Sequence, residues 1–181
     1  MDDLLNVSID NLDIMFYNEI TTDATFLLNG YIRSAIMTSK TISISYPIDP
    51  PPIKIHINSG GGSVLDAFST ADIIKRSDVH ITTIVEGICA SSATLISLAG
   101  YRRLMYKNSY MLIHQLSGAA WGRLSQIKDE TVNLTKVMDA IIDYYLDNTK
   151  IERKRLNKLL KKDLYLGADE CLKYGFIDEI I

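Results

Sequence analysis

Hydrophobic and polar residues alternate through residues 53–58, with the period of two that is typical of a strand. Residues 64–76 follow with apolar positions at helical spacing, which predicts an amphipathic helix. The positions predicted to face inward are Leu65, Phe68, Ala71 and Ile74. A β-branched run over residues 80–85 predicts a second strand, and Gly87 is expected to turn the chain into an apolar helix opened by Ser91. This alternation of strands and helices predicts an α/β fold.

The flanking segments extend the same pattern. Residues 25–30 are interpreted as a short strand that stops at a glycine, and residues 32–43 as a helix. Prolines within residues 47–52 predict an extended connector, because proline fixes φ and restricts the residue before it. Residues 104–106 and 110–113 are predicted to be two further strands. We find no internal repeat and no low-complexity linker.

The chain of 181 residues is long enough for one domain with a buried core. Residues 1–20 are acidic and weakly patterned at their start, so we expect an N-terminal, axial segment that is mobile or ordered only in an assembly. Residues 21–181 are expected to form a single domain.

One long helix is predicted over residues 123–149. Its apolar seam has near-heptad spacing and consists of Leu124, Ile127, Thr131, Leu134, Met138, Ile141 and Tyr145. The helix could be a core helix, but at about 40 Å it is longer than a domain of this size covers on one side. A helix that projects to pack against another subunit explains the length better. Residues 150–162 then predict a basic amphipathic helix with a solvated charged face.

Charge and composition exclude several classes of protein. The net charge of −3 argues against a general nucleic-acid surface. The apolar run over residues 88–100 is too short to span a bilayer, and the acidic start does not resemble a signal peptide. Cys89 and Cys171 lack metal or redox spacing, so two thiols in a reducing cytoplasm are favoured over a disulfide. We therefore expect a cytoplasmic protein without a membrane segment, a metal site or nucleic-acid partners.

Three features carry candidate chemistry: a glycine run at residues 60–62, Ser91 and His114. A serine needs a base to remove its proton, and the developing oxyanion needs N–H donors, which glycine turns and helix starts supply. Each feature alone has an ordinary explanation, respectively a turn, a helix N-cap and a core histidine. The glycine run lacks the Lys-Ser/Thr of a phosphate loop, and Ser91 is not in a GxSxG motif. Their order along the chain indicates a serine hydrolase.

Four segments together resemble the Clp protease proteolytic subunit (ClpP) family. They are Ile57-Asn58-Ser59-Gly60-Gly61-Gly62-Ser63, Gly87-Ile88-Cys89-Ala90-Ser91, Asn108-Ser109-Tyr110-Met111-Leu112-Ile113-His114-Gln115 and Tyr174-Gly175-Phe176-Ile177-Asp178. The resemblance implies that Ser91 is the nucleophile, His114 the base and Asp163 the residue that orients the base. It also implies that the amides of Gly62 and Ser92 form the oxyanion hole. Spacing alone leaves Asp169 and Asp178 open as alternatives to Asp163.

The resemblance further implies a ClpP/crotonase-like fold of stacked ββα units with a projecting handle helix over residues 123–149. Heptameric rings are then expected to stack as a tetradecamer around a chamber in which unfolded proteins or peptides are cut. The chain has no nucleotide motif, so no cofactor is expected and any ATP is used by a partner, an AAA+ unfoldase of the Clp type. The alternatives are a catalytically silent or regulatory ring subunit and a crotonase-type acyl-CoA enzyme.

Several positions depart from the family pattern. Gly60, Ser92 and Leu116 stand where proline, methionine and proline are usual. His56 and Arg76 stand at positions that are commonly aromatic in the cleft where the family docks its unfoldase. Such divergence beside a retained set of Ser, His and Asp suits a phage-type homologue or a subunit that mixes with those of a host.

Overall fold

A computed structural model describes residues 5–181, which form eight strands and six helices. In chain order these are β1 Val7–Asp10, β2 Asp13–Phe16, α1 Thr22–Ser45, β3 Ile53–Ser59, α2 Val64–Lys75, β4 Ile81–Ala90, α3 Ala93–Leu98, β5 Arg102–Met105, β6 Tyr110–Leu112, α4 Leu124–Asn148, α5 Arg153–Leu159, β7 Tyr165–Gly167, α6 Ala168–Tyr174 and β8 Glu179–Ile180.

The strands form one mixed sheet whose main order is β1-β2-β3-β4-β5-β8. The pairs from β2 to β8 along this path are parallel, and β1 pairs with β2 antiparallel. Along β3, Ile53, Ile55 and Ile57 are fully buried while Lys54 is exposed, so the predicted alternation is confirmed. Parallel strands need long crossovers, which here are the helices α1, α2 and α3.

Strand β4 bends at its midpoint and pairs with a different strand on each side of the bend. Residues 82–85 pair with β5, whereas residues 88–90 pair with β6. Gly87 lies between the two sections with φ +74°, and a Cβ there would lie 3.1 Å from the Asn58 side chain. The predicted end of the strand at Gly87 is therefore wrong, because the glycine bends β4 without ending it. This bend directs the end of β4 towards β6 and β7.

The N-terminal segment is part of this sheet. Strand β2 pairs in parallel with β3, and Ile14, Phe16 and Ile20 are buried in the core. This corrects the expected boundary at residue 20 and the expected mobility for residues 5–20. The weak pattern misled because each strand has only four residues. Residues 1–4 of the expected axial segment lie outside the described residues.

The strand predicted at residues 25–30 is wrong. Helix α1 already begins at Thr22, because the Thr21 hydroxyl caps it by accepting a hydrogen bond from the Ala24 amide. Ala24, Leu28, Ile32 and Ala35 are buried on one face of this helix. Gly30 lies in the helix interior with open space around it, so it does not act as a stop.

Helix α2 confirms the predicted span to within a residue, but its buried face is rotated. Leu65 is 68% exposed, and the buried residues are Ala67, Thr70, Ala71 and Ile74. Small residues are buried because α2 packs closely against both α1 and α3.

Helix α4 matches the long helix predicted over residues 123–149. Its buried residues are Ile141 and Tyr145, both in its C-terminal half. Leu124 is 69% exposed at the other end, and Val132 is also exposed. The N-terminal half of α4 therefore projects from the domain with its apolar positions uncovered.

The C-terminal segment was only partly predicted. The basic helix is shorter than expected, α5 covering Arg153–Leu159, and β7, α6 and β8 follow it. Within residues 5–181 no helix combines the length and the apolarity needed to cross a membrane.

Arg103 on β5 connects these C-terminal elements. One guanidinium nitrogen donates to the carbonyls of Asn148 at 2.7 Å and Gly175 at 3.0 Å, and Nε donates to Asp178 at 3.1 Å. Burial alone would raise the pKa of Asp178, but the hydrogen bonds and charge of Arg103 outweigh it and lower that pKa. Arg103 thus holds the end of α4 against the C-terminus.

We expect Arg103→Met to lower the free energy of unfolding by about 2 kcal/mol at neutral pH, because two carbonyls and a carboxylate lose their donor. Urea denaturation measures this. The contact between Arg103 and ionised Asp178 contributes fully to stability above an ordinary carboxyl pKa, and this contribution is lost as pH falls through the lowered pKa of Asp178. The difference in free energy of unfolding between the wild-type protein and Arg103→Met should therefore shrink at acidic pH.

Arg102→Met is the matched control, since Arg102 pairs with Glu179 at the exposed surface. Arg102→Met should lower the free energy of unfolding by less than about 0.5 kcal/mol. Equal losses from both variants would contradict the connecting role of Arg103.

Candidate active site

Ser91 lies in the tight turn between β4 and α3. Its φ is +54°, a left-handed conformation that non-glycine residues rarely adopt and that stores about 1–3 kcal/mol of strain. The Ser91 amide donates to the Leu112 carbonyl at 2.8 Å, and the Ser91 carbonyl accepts from the Thr94 hydroxyl at 2.6 Å. Ser91 therefore precedes the helix, whose N-cap is Ser92.

The glycine run packs against this turn. A Cβ on Gly61 would lie 2.7 Å from the Ser91 Cβ, and a Cβ on Gly62 would lie 2.3 Å from the Ile20 carbonyl oxygen. Both residues have positive φ, so only glycine fits at either position. The Ser92 hydroxyl donates to the Gly62 carbonyl at 3.0 Å, which fixes the glycine loop beside the turn.

Ile20 completes the loop, and the sequence interpretation missed it. The Ile20 amide donates to the Gly61 carbonyl and the Ile20 carbonyl accepts from the Ser63 amide, each at 2.8 Å. The end of the N-terminal segment thus holds the glycine run in place. No local signal at Ile20 indicated this, because the contact joins segments that are distant in sequence.

His114 follows β6, next to the Ser91 turn. Strand β6 pairs with the end of β4, where Ala90 is opposite Leu112. His114 is partly buried, and the next residue, Gln115, donates its amide to the Leu160 carbonyl at 2.8 Å. This backbone contact ties the His114 segment to the chain that leads to Asp163.

One cavity brings four of the predicted residues together: Gly62, Ser91, Ser92 and His114 line it. Its apolar lining comes from Val64, Leu95, Leu116, Ile141 and Tyr145. Within residues 5–181 the amides of Gly62 and Ser92 donate no hydrogen bond. Over the same residues no hydrogen bond joins the Ser91 hydroxyl to His114.

Asp163 does not line this cavity and is exposed. However, the antiparallel pairing of β6 with β7 relates the Asp163 segment to the His114 segment. Leu112 is opposite Tyr165, and each step forward on β6 is one step back on β7. The ladder ends at this pair, and the same register extended by two residues would place Asp163 opposite His114. A short continuation of this pairing would bring the two side chains to the same edge.

Tyr144 and Tyr145 attach α4 to α3, the helix that follows Ser91. The Tyr145 hydroxyl lies 2.7 Å from the Thr94 hydroxyl, and the Tyr144 hydroxyl donates to the Leu95 carbonyl at 3.1 Å. Burial raises the pKa of Tyr145 well above its usual range, so its hydroxyl stays neutral. The predicted seam included Tyr145, although as a subunit contact and not as a wall of this cavity.

Both cysteines are buried free thiols. Burial raises the pKa of Cys171 to about 12 and that of Cys89 further, so neither is a thiolate at neutral pH. Across residues 5–181 no group of three or more His, Cys, Asp or Glu side chains is placed to hold a metal ion. Of the two titratable side chains that line the cavity, Tyr145 stays neutral, which leaves His114 as the candidate base.

Comparison with known proteins decides the family. The family model of Clp protease matches residues 12–181. The chain belongs to the Clp protease family. It is 30% identical to ATP-dependent Clp protease proteolytic subunit 1 of Chlamydia caviae, over 99% of this chain and 92% of that protein. It is also 30% identical to the ATP-dependent Clp protease proteolytic subunit of Leuconostoc citreum, over 91% of this chain and 86% of the relative.

A solved structure supports the fold separately. A point mutant of ClpP1 from Listeria monocytogenes superposes with a TM-score of 0.81, at 24% identity, and covers 95% of this chain and 92% of that chain. The predicted ClpP-like α/β fold is thereby confirmed. The family is one of serine peptidases, so the chain is an enzyme of the serine peptidase type, and the predicted acyl-CoA alternative loses its basis.

Proposed function

We propose that this Clp protease family member is a serine endopeptidase that hydrolyses peptide bonds of unfolded polypeptides through an acyl-enzyme intermediate. One observation carries the proposal: Ser91 and His114 line the same cavity as Gly62 and Ser92, whose amides have no acceptor among residues 5–181. A nucleophile, a base and oxyanion donors are the parts that acyl transfer needs.

In the proposed mechanism His114 accepts the Ser91 proton as the hydroxyl oxygen attacks the substrate carbonyl. The amides of Gly62 and Ser92 donate to the oxyanion that forms. His114 then gives its proton to the leaving amine, and a water molecule cleaves the ester by the same steps in reverse. Asp163 orients the imidazole and stabilises its charged form.

The absence of a Ser91–His114 hydrogen bond among residues 5–181 fits a resting arrangement that tightens before reaction. Continued pairing of β6 and β7 would place Asp163 opposite His114, while the Gln115–Leu160 backbone contact already holds the two segments together. A catalytically silent or regulatory ring subunit is the second candidate. It is favoured by the exposure of Asp163 and by the missing Ser91–His114 hydrogen bond within residues 5–181.

The proposed assembly consists of heptameric rings stacked as a tetradecamer around a chamber. The relatives are subunits by name, which supports an oligomer. The projecting half of α4 exposes Leu124, and the adjoining loop exposes Trp121 completely. Apolar side chains of this kind are normally covered by another subunit.

The proposed partner is an AAA+ unfoldase of the Clp type, because the relatives are named as ATP-dependent. We propose that ATP is used by this partner, that the subunit itself needs no cofactor, and that it works in the cytoplasm.

His56 lies in a polar network, with its ring nitrogens 2.6 Å from Glu86 and 3.3 Å from Asp13. Burial, with a hydrogen bond to Glu86, raises the pKa of Tyr17 to about 12. The surface around His56 is therefore more polar than the aromatic cleft in which the family docks its unfoldase. We propose that the partner loop bound here is correspondingly polar.

Labelling with a fluorophosphonate probe tests this function. The single tryptophan, Trp121, reports assembly through a blue shift of its emission, and native mass gives the ring size. We expect the probe to modify Ser91 in assembled protein and to leave Ser91→Ala unlabelled. An assembled ring that is not labelled at Ser91 would instead support the silent subunit.

A further inference from the structure

A second groove continues from the Ser91 cavity and shares part of its lining. Gly62, Val64, Leu116 and Ser117 line both. The groove then runs between Leu65 at the start of α2 and the projecting helix α4. A polypeptide bound across Ser91 has this groove as a direct extension of its path.

One face of α4 forms the wall of both spaces. Glu130, Leu134 and Val137 line the groove, and Ile141 lines the cavity, at helical spacings of four, three and four. At a rise of about 1.5 Å per residue, Glu130 lies roughly 10 Å along the helix from Val137 and roughly 16 Å from Ile141. Glu130 therefore marks the distal end of a continuous wall.

Glu130 brings an uncompensated negative charge into this groove. Its side chain is partly buried, and the ion pairs formed among residues 5–181 do not include it. Apart from Asn133, Ser117 and Ser63, the neighbouring side chains of the groove are apolar. A charge beside apolar walls interacts more strongly with an opposite charge than it would in bulk water.

We propose that Glu130 is a specificity-determining residue, which favours substrates carrying Lys or Arg about three to five residues from the scissile bond. An extended peptide advances about 3.3 Å per residue, so the 10–16 Å between Glu130 and the inner wall corresponds to that spacing. The inference rests on the proposed function, because it takes the occupant of the groove to be a substrate polypeptide.

The test measures peptide binding separately from hydrolysis. Dye-labelled peptides with one lysine moved stepwise along an otherwise uncharged sequence are bound to assembled Ser91→Ala protein, and fluorescence anisotropy gives each Kd. At one lysine position we expect binding about three- to fivefold tighter than with methionine there. In the Ser91→Ala background Glu130→Gln should bring this ratio to about one, and Glu130→Lys should favour a glutamate peptide. Added salt should weaken the preference.

Asp129→Asn is the matched control, because it removes the same charge from the adjacent, exposed position outside the groove. It should leave the lysine preference intact. Equal binding of lysine and methionine peptides, a preference that survives Glu130→Gln, an equal loss in Asp129→Asn, or no peptide binding would each overturn the inference. Failure of the proposed function is distinct, since it would appear as an absence of Ser91-dependent hydrolysis in the wild-type protein.

Discussion

Ser91→Ala is expected to abolish hydrolysis of a short fluorogenic peptide, with a rate loss on the order of 10⁴-fold or more. Alanine removes the hydroxyl that attacks the carbonyl and leaves the rest of the cavity unchanged. The contacts that hold the turn use the Ser91 backbone amide and carbonyl, so the variant should keep its fold and assembly. Initial rates, recorded with native mass on the same samples, measure the effect.

Ser117→Ala is the control, since Ser117 also lines the cavity but has no proposed part in the reaction. It should keep most of its activity. Turnover that survives Ser91→Ala in an intact ring, or an equal loss in both variants, would reject Ser91 as the nucleophile.

Asp163→Asn is expected to lower kcat by about 10³- to 10⁴-fold. An amide in place of the carboxylate cannot stabilise the imidazolium and favours the wrong tautomer of the base. The structural ground is the β6–β7 pairing, because its register, continued two residues past the Leu112–Tyr165 pair, would place Asp163 opposite His114. Steady-state kinetics with the same peptide checks the prediction.

The two other candidate aspartates serve as matched controls. Asp169 forms an exposed ion pair with Lys107 at 3.0 Å, so Asp169→Asn should leave kcat nearly unchanged. Asp178 is paired with Arg103, so Asp178→Asn should lower stability and not the rate of the chemical step. A larger loss of kcat in either control than in Asp163→Asn would assign the third catalytic role elsewhere.

The sequence pattern predicted the elements whose signal is local and strong. The alternation over residues 53–58 became β3, and the long seam over residues 123–149 became α4. The pattern failed at residues 25–30, where Gly30 suggested a strand end. There the Thr21 cap and a buried face shared with the rest of α1 kept the chain helical. Propensity at single residues is a weak signal, and packing along a whole helix overrides it.

The candidate site, like the secondary structure, was predicted only in part. Ser91, His114 and the glycine run were singled out from the residues, whereas Gly62 and Ser92 were assigned as donors through the family resemblance. All four residues line one cavity. Asp163 could not be chosen over Asp169 or Asp178 without the family resemblance, because all three lie far from His114 in sequence. Ile20 and Glu130 were missed, since neither belongs to a motif and each matters through contacts or surroundings formed by distant segments.

By itself the sequence determined the α/β alternation, the projecting helix and the residue types available for acyl transfer, because periodicity and motifs are properties of neighbouring residues. Only the tertiary structure decided that residues 5–20 complete the sheet and hold the glycine loop, that Ser91 occupies a left-handed turn, and that β6, which leads to His114, pairs with β7, which follows Asp163. These features depend on strand pairing and close packing between segments far apart in the chain, and no local pattern encodes such contacts.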